Sequence, residues 1–230
     1  MCFSAIASFS AGTVLLGVGA LTLRSALAAR QPRALLFAAI PLLFAAQQLI
    51  EGVIWLSFSA DAPLLNSVMT HVYSFFSHVL WPIYIPVAVL LMEPAGWRRH
   101  ALIGFVAAGA ALGAYLLLVL MAYPIVSRPT GQHIEYVSPH FFAAVTMTLY
   151  LLSTAISPLL STQRMVVVFG ALALLSFGAA YAFYATWFIS VWCFFAALLS
   201  SVVYLYFRER ERQSAPPTVK RSTAHRSQEA

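Results

Sequence analysis

The stretch Leu42-Leu43-Phe44-Ala45-Ala46-Gln47-Gln48-Leu49-Ile50-Glu51-Gly52-Val53-Ile54-Trp55 decides the fold. Its polar side chains sit in a run otherwise fit for lipid, and Glu51 is the only formally charged residue inside any long apolar stretch of the chain. A charge at bilayer depth costs roughly 2.5–3.5 kcal/mol on insertion scales, so a chain that keeps one there gives it a partner and often a task. Around this stretch, 61% of the 230 residues are hydrophobic and only 9% are charged. A soluble domain carries about 25% charged residues, so the composition is that of a membrane protein.

The hydrocarbon core is about 30 Å thick and takes about 20 apolar residues of helix. Seven stretches meet that length: Ala5–Leu23, Ala34–Phe58, Val68–Met92, Ala101–Ala122, Pro139–Leu160, Met165–Tyr184 and Phe188–Phe207. The expected fold is therefore all-α and polytopic, a bundle of seven transmembrane helices over residues 1–207. The uncharged start Met1-Cys2-Phe3-Ser4 lacks the basic region of a cleavable signal.

Basic residues sort by side. Arg24, Arg30 and Arg33 follow the first span, Arg98 and Arg99 the third, Arg164 the fifth, and Arg208, Arg210 and Arg212 the seventh. The intervening loops hold Asp61, and Arg128 with Glu135. By the positive-inside rule the N-terminus is outside and the C-terminus cytoplasmic. The net charge of +6 is thus a topology signal rather than a nucleic-acid footprint. Residues 208–230 are expected to be a disordered basic cytoplasmic tail, the part from 213 on being rich in Pro, Ser and charge.

At 1.5 Å per residue, Glu51 lies roughly 10 Å below the outer boundary, with His78 of the third span at that depth and Cys193 of the seventh about 8 Å down. His71 and His140 fall near the outer interface, and Cys2 precedes the first span on the same side. Glutamate, histidine and cysteine are the ligand set of zinc and other transition metals. The candidate site therefore comprises Glu51, His78 and Cys193, with His140 or Cys2 entering from above. Gln47 lies one turn below Glu51 and Trp55 one turn above, so Gln47 is a candidate to hold the carboxylate. Cys2 and Cys193 are either a disulfide or two packing thiols. Pro82 removes the donor that would serve the His78 carbonyl, so irregular backbone is expected beside His78. Gly109 and Gly113 are expected to let a neighbouring helix of the same chain approach closely.

Other chemistries lack their residues. The only lysine, Lys220, lies in the tail, which excludes a retinal Schiff base. There is no Gly-x-x-x-x-Gly-Lys or Gly-x-Gly-x-x-Gly for a nucleotide, and no arginine-rich span for voltage sensing.

Four segments together resemble an uncharacterised family of bacterial multi-pass membrane proteins: Met1-Cys2-Phe3-Ser4-Ala5; Gln47-Gln48-x-x-Glu51-Gly52-x-x-Trp55; Phe76-Ser77-His78-Val79-Leu80-Trp81-Pro82; and Ser190-Val191-Trp192-Cys193-Phe194-Phe195. The resemblance covers the chain apart from the tail and implies a bacterial inner-membrane location; it implies no activity. Its recognisable segments hold Cys2, Glu51, His78 and Cys193. A looser architectural likeness is to the seven-span zinc hydrolases of the alkaline ceramidase type, from which the chain departs in lacking a late His-x-x-x-His.

Three functions fit these residues. The first is a zinc or other transition-metal site of a membrane-embedded, hydrolase-like enzyme acting on a lipid or small molecule, with Glu51 as ligand or general base. A haem between His78 and His140 is its variant. The second is a proton-coupled transporter in which Glu51, Gln47 and Gln48 line a polar path with Pro41 and Pro82 as hinges; the few polar groups expected in the inner halves of the spans and the lack of an inverted repeat count against it. The third is a non-catalytic scaffold with Glu51 and His78 as a buried pair.

Overall fold

The computed structural model describes residues 4–139, 141–183, 195 and 199–214. It is mostly helical, and five of its helical stretches are long and apolar enough to cross a membrane: Ala5–Ala28, Pro32–Ser59, Pro63–Met92, Trp97–Ala122 and Arg164–Ala182. This is the build of a multi-pass membrane protein.

Helix α1 (Ala5–Ala28) starts at Ser4, whose hydroxyl accepts from the Ala7 amide at 3.2 Å, a cap that satisfies one orphan donor. Its buried face is a stripe of mostly small residues, among them Ser8, Gly12, Gly19 and Ser25. Helix α2 (Leu35–Ser59) packs along it, with Leu49 seated over Gly12 and Leu42 over Gly19. Small residues permit this approach where no hydrophobic effect drives helices together in lipid. Both ends of α2 are turned by the same device. Arg30 and Asp61 adopt φ values of 51° and 46°, and the amides of Gln31 and Ala62 reach back five residues to the Ala26 and Ser57 carbonyls. These are Schellman closures built on non-glycine residues. A proline in the first turn, Pro32 or Pro63, then opens the next helical segment.

The third membrane-length stretch begins at Pro63, earlier than the Val68 expected from hydropathy, and it is not one regular helix. Helix α3 (Pro63–Ser74) passes into a π segment, Phe75–Leu80, and then into α4 (Trp81–Met92). Pro82 has no N–H to offer, and the Trp81 amide bonds to Phe76 rather than to Ser77. The Ser77 carbonyl thereby left over accepts the Tyr150 hydroxyl at 2.5 Å. This is the irregularity expected beside His78, with its partner supplied by another helix. The pattern recurs where α6 (Ala143–Leu151) leads through a π segment, Leu152–Ile156, into α7 (Ser157–Leu159), with Pro158 in the second position.

Helix α5 (Trp97–Ala122) lies across the first π segment and α4. A Cβ on Gly109 would collide with the Pro82 carbonyl oxygen, and one on Gly113 would meet Ile83 at 2.7 Å. The glycine pair packs inside the chain, as its spacing suggested. The main apolar core joins α2, α4, α8 (Arg164–Phe183) and α9 (Ser200–Ser214). Phe44 stacks on Trp81 at 4.0 Å, and Phe37 meets Phe169 edge-on at 5.6 Å.

Three expectations change. The fifth expected span, Pro139–Leu160, begins as helix only at Ala143, preceded by a left-handed Phe142 (φ 55°), and its 17 apolar residues through Leu159 cover about 26 Å. Residues 126–137, expected as an outer loop, form an antiparallel hairpin of β1 (Val126–Thr130) and β2 (His133–Val137). Gly131 takes φ 63° at the first of the two turn residues, where a type II′ turn wants glycine. Residues 208–214, expected in the tail, continue α9. They are held there because the Ser25 hydroxyl donates to Glu211 and Arg210 donates to the Gln163 side chain, both at 2.6 Å. Half of the seventh expected span, residues 188–194 and 196–198, lies outside the described residues, as do residues 184–187 before it.

Gly109→Val is expected to lower stability in detergent by about 1–3 kcal/mol, while Gly104→Val, with nothing within 4 Å of its added carbon, stays neutral; paired thermal unfolding of the purified variants checks this.

Candidate functional site

Successive buried residues of α2 face two neighbours. Phe44, Gln47, Glu51 and Ile54 form one stripe, and Ala45, Gln48 and Gly52 an adjoining one. Gln47, Gln48 and Glu51 are all fully buried. The Gln47 carbonyl oxygen accepts the Trp81 indole N–H at 2.8 Å, so Gln47 fastens α2 to α4 at the level where Pro82 has opened the backbone. Among the described residues the side-chain nitrogen and oxygen of Gln48 have no hydrogen-bond partner. An amide at such depth is costly without one.

The hairpin closes this region from one end. Ile134 and Tyr136 of β2 point inward, onto Ile54 and Tyr73. The Tyr136 ring stacks on that of Tyr73, 4.5 Å apart and 4° from parallel. Its hydroxyl donates to Glu51 Oε1 at 3.4 Å. A relay of side chains holds the hairpin in place. Thr70 donates to Ser127 (2.8 Å), Ser127 to the Asn66 carbonyl oxygen (2.9 Å), Asn66 to Ser57 (2.9 Å), and Ser57 to the Ile54 backbone carbonyl (2.6 Å). Thr70, Ser127 and Ser57 are buried. One chain of hydrogen bonds thus ties β1, α3 and α2 together above Glu51.

A second fully buried carboxylate stands at the opposite end. Glu93, just past α4, accepts the Ser161 hydroxyl at 3.1 Å and the Thr162 amide at 3.0 Å. It thereby caps the approach to α8, where a negative group suits the helix dipole. Arg99 donates to the Leu90 and Glu93 carbonyls, both at 3.1 Å. Leading to Glu93 is a file of buried hydroxyls one turn apart, Ser153, Ser157 and Ser161. The expectation of few polar groups away from Glu51 is corrected by this file.

The expected site residues divide. Trp55 is half-buried in the apolar cluster beneath the hairpin, edge-on to Phe58 at 6.2 Å. His71 donates Nδ1–H to the Ser67 carbonyl of its own helix at 2.8 Å. His78 holds its Nδ1 within the π turn, 3.1 Å from the Ser74 carbonyl and 2.8 Å from Ser77 Oγ, and lines a cleft against α5. Cys2, His140 and Cys193 lie outside the described residues. Among the described residues no three His, Cys, Asp or Glu side chains gather as a metal ion requires. A centre on Glu51 and His78 therefore rests on Cys193, Cys2 or His140 for its further ligands. Gln47, expected to hold the Glu51 carboxylate, has its carbonyl oxygen on the Trp81 indole N–H.

Sequence reasoning passed over Tyr136, Tyr73 and Glu93. For Tyr136 a signal exists: Thr130-Gly131 followed by alternating His133-Ile134-Glu135-Tyr136-Val137 is a hairpin pattern with Ile134 and Tyr136 on one face. Glu93 ends a span and looks like any interfacial acid. Its burial depends on α8 arriving from seventy residues further along.

The chain belongs to a family of unknown function (DUF6629), whose model matches residues 1–219. No curated protein and no solved structure matches it, and nothing here supports the likeness to seven-span zinc hydrolases.

His133 opens β2, and partial burial holds its imidazole below its ordinary value of 6.5. An undocked hairpin therefore binds more protons than a docked one, and docking weakens as pH falls from neutral through 6.5. Trp55 emission, read against pH in wild type and His133→Gln, is expected to shift in the wild type only. Ser127→Ala, which breaks the relay and strands buried Thr70 and half-buried Asn66, is expected to loosen the hairpin by about 1–2 kcal/mol, read as faster amide exchange over 126–137.

Proposed function

We propose that this protein is a proton-coupled carrier of a small polar solute, with Glu51 as its proton-binding group and the β1–β2 hairpin as the gate over it. In this reading it has seven spans, an outside N-terminus and a cytoplasmic C-terminus in the bacterial inner membrane, as the arginine distribution places them. The hairpin end is then the outer end, and Glu93 lies towards the cytoplasm.

The observation that carries the reading is the pair of fully buried carboxylates, Glu51 and Glu93, one towards each end of the bundle, with buried hydroxyls leading to the second. Intramembrane acids of this kind mark ion and proton pathways. Glu51 is met by a neutral donor, Tyr136, delivered on a hairpin that is held by hydrogen bonds rather than by a covalent link. Beside it, Gln48 offers an amide donor and acceptor to a guest. The prolines that interrupt the regular helix, Pro82 and Pro158, each follow a π segment, a form recurrent at functional sites.

Infrared difference spectra of the lipid-reconstituted protein, taken between alkaline and acidic pH, test this. A protonated-carboxyl stretch that titrates in the wild type and is missing in Glu51→Gln is the expected result. No such band, together with stoichiometric zinc after purification without chelators, would replace the carrier with the metal reading, in which Glu51, His78 and Cys193 are ligands. No band and no metal would reduce Glu51 to structural glue.

A further inference from the structure

A second site opens on the other side of the first π segment, away from the functional proposal above. It is a niche between α5, the π segment and the chain that leaves the hairpin, with a cavity volume of about 30 Å³, room for one hydroxyl or one water while the rest of a guest lies along its open walls. Its walls are aliphatic where α5 provides them, from Leu116, Val119 and Leu120, and Ile125 adds to them from the start of the hairpin. Its polar lining is His78, Tyr115, Ser138 and Thr146. Among the described residues no Asp, Glu, Lys or Arg lines it, and an ionised guest would meet no compensating carboxylate, ammonium or guanidinium from them.

Two of the polar groups are available to a guest. The Tyr115 hydroxyl donates towards the Phe141 carbonyl at 3.4 Å, which leaves its oxygen lone pairs as acceptors. Ser138 follows β2 directly and its hydroxyl both donates and accepts. Thr146, by contrast, directs its hydroxyl to the Phe142 and Ala143 carbonyls of its own helix. The surfaces flanking the cleft are apolar and open: Leu118 and Met121 on α5, and Phe142 and Val145 at the start of α6, are all exposed. A guest that reaches the cleft across those surfaces comes from the bilayer.

We infer that this cleft binds a neutral, hydroxyl-bearing lipid amphiphile, its hydroxyl donating to Tyr115 and accepting from Ser138, its chain lying along Leu116, Val119 and Leu120. Ile125 and Ser138 stand immediately before β1 and immediately after β2. A bound amphiphile therefore touches both roots of the hairpin at once, and occupancy biases the hairpin's position over the bundle end.

A photoactivatable long-chain alcohol bearing a diazirine, presented in liposomes of the full chain, tests the assignment, with the equivalent fatty acid as the charged control. Crosslinks are expected within residues 115–125 and 138–146, displaced by unlabelled alcohol. The isosteric pair Tyr115→Phe and Ser138→Ala, which leaves the cleft shape intact, is expected to weaken displaceable labelling about fivefold for each hydroxyl removed. Leu116→Trp, which fills the cleft, is expected to abolish it, and the fatty acid is expected to label there weakly. Crosslinks spread evenly over lipid-facing residues such as Val14, Ile103 and Leu175, or labelling equal in the wild type and these variants, would overturn it. The labelling is read at Tyr115, Ser138 and Leu116 and the infrared band at Glu51, so failure here and failure of the carrier reading are separate results.

Discussion

Every backbone polar group inside a bilayer has to find its partner within the protein, and this constraint, met at Pro82, organises the structure. The missing N–H is answered by widening one turn into a π segment, which sends the Trp81 amide to Phe76. The displaced Ser77 carbonyl is served by Tyr150, which brings α6 in. The exposed Pro82 carbonyl faces Gly109, which brings α5 in. Once Trp81 is so oriented, its indole N–H reaches Gln47 and its ring stacks on Phe44, which fastens α2. One absent hydrogen thus accounts for contacts among α2, α4, α5 and α6.

The same turn separates two chemical environments. On the α2 side stand Gln47, Gln48 and Glu51, buried and polar under Tyr136. On the α5 side stands the cleft of His78 and Tyr115, aliphatic and uncharged. The hairpin links the two, because its inward face covers Glu51 and its roots border the cleft. It is held by an apolar patch of four buried residues and a relay of hydroxyl and amide groups. Elements with few buried apolar contacts open at low free-energy cost, which suits a cover that has to move.

Much of this was legible in the residues. The membrane class, the depth of Glu51, the irregularity beside His78 and the internal packing of Gly109 and Gly113 follow from hydropathy, helix rise, the missing proline donor and the absence of a Cβ. The hairpin was written in the Thr130-Gly131 turn and the alternation after it, but in a chain dominated by 3.6-residue periods a two-residue period over five residues carries little weight. The grouping of Glu51, His78 and Cys193 came from depth, which places residues at one level without saying which side of a helix each occupies. Rotation about the helix axis sets that side: His78 lines the cleft against α5, and the Gln47 carbonyl oxygen meets Trp81.

By itself, then, the sequence determined that the chain is helical and membrane-bound, where its helices bend, and that Glu51 is buried at a cost demanding a partner. These are local or one-dimensional properties, set by composition, periodicity and the chemistry of single residues. Only the tertiary structure decided which partner Glu51 meets. Tyr136 lies 85 residues away, on an element whose position depends on Thr70, Asn66 and Ser57 from two other helices. The burial of Glu93 by Ser161 and Thr162 is of the same kind. Long-range side-chain pairing in a low-dielectric interior depends on the relative rotation and height of several packed helices at once, and no single segment encodes that.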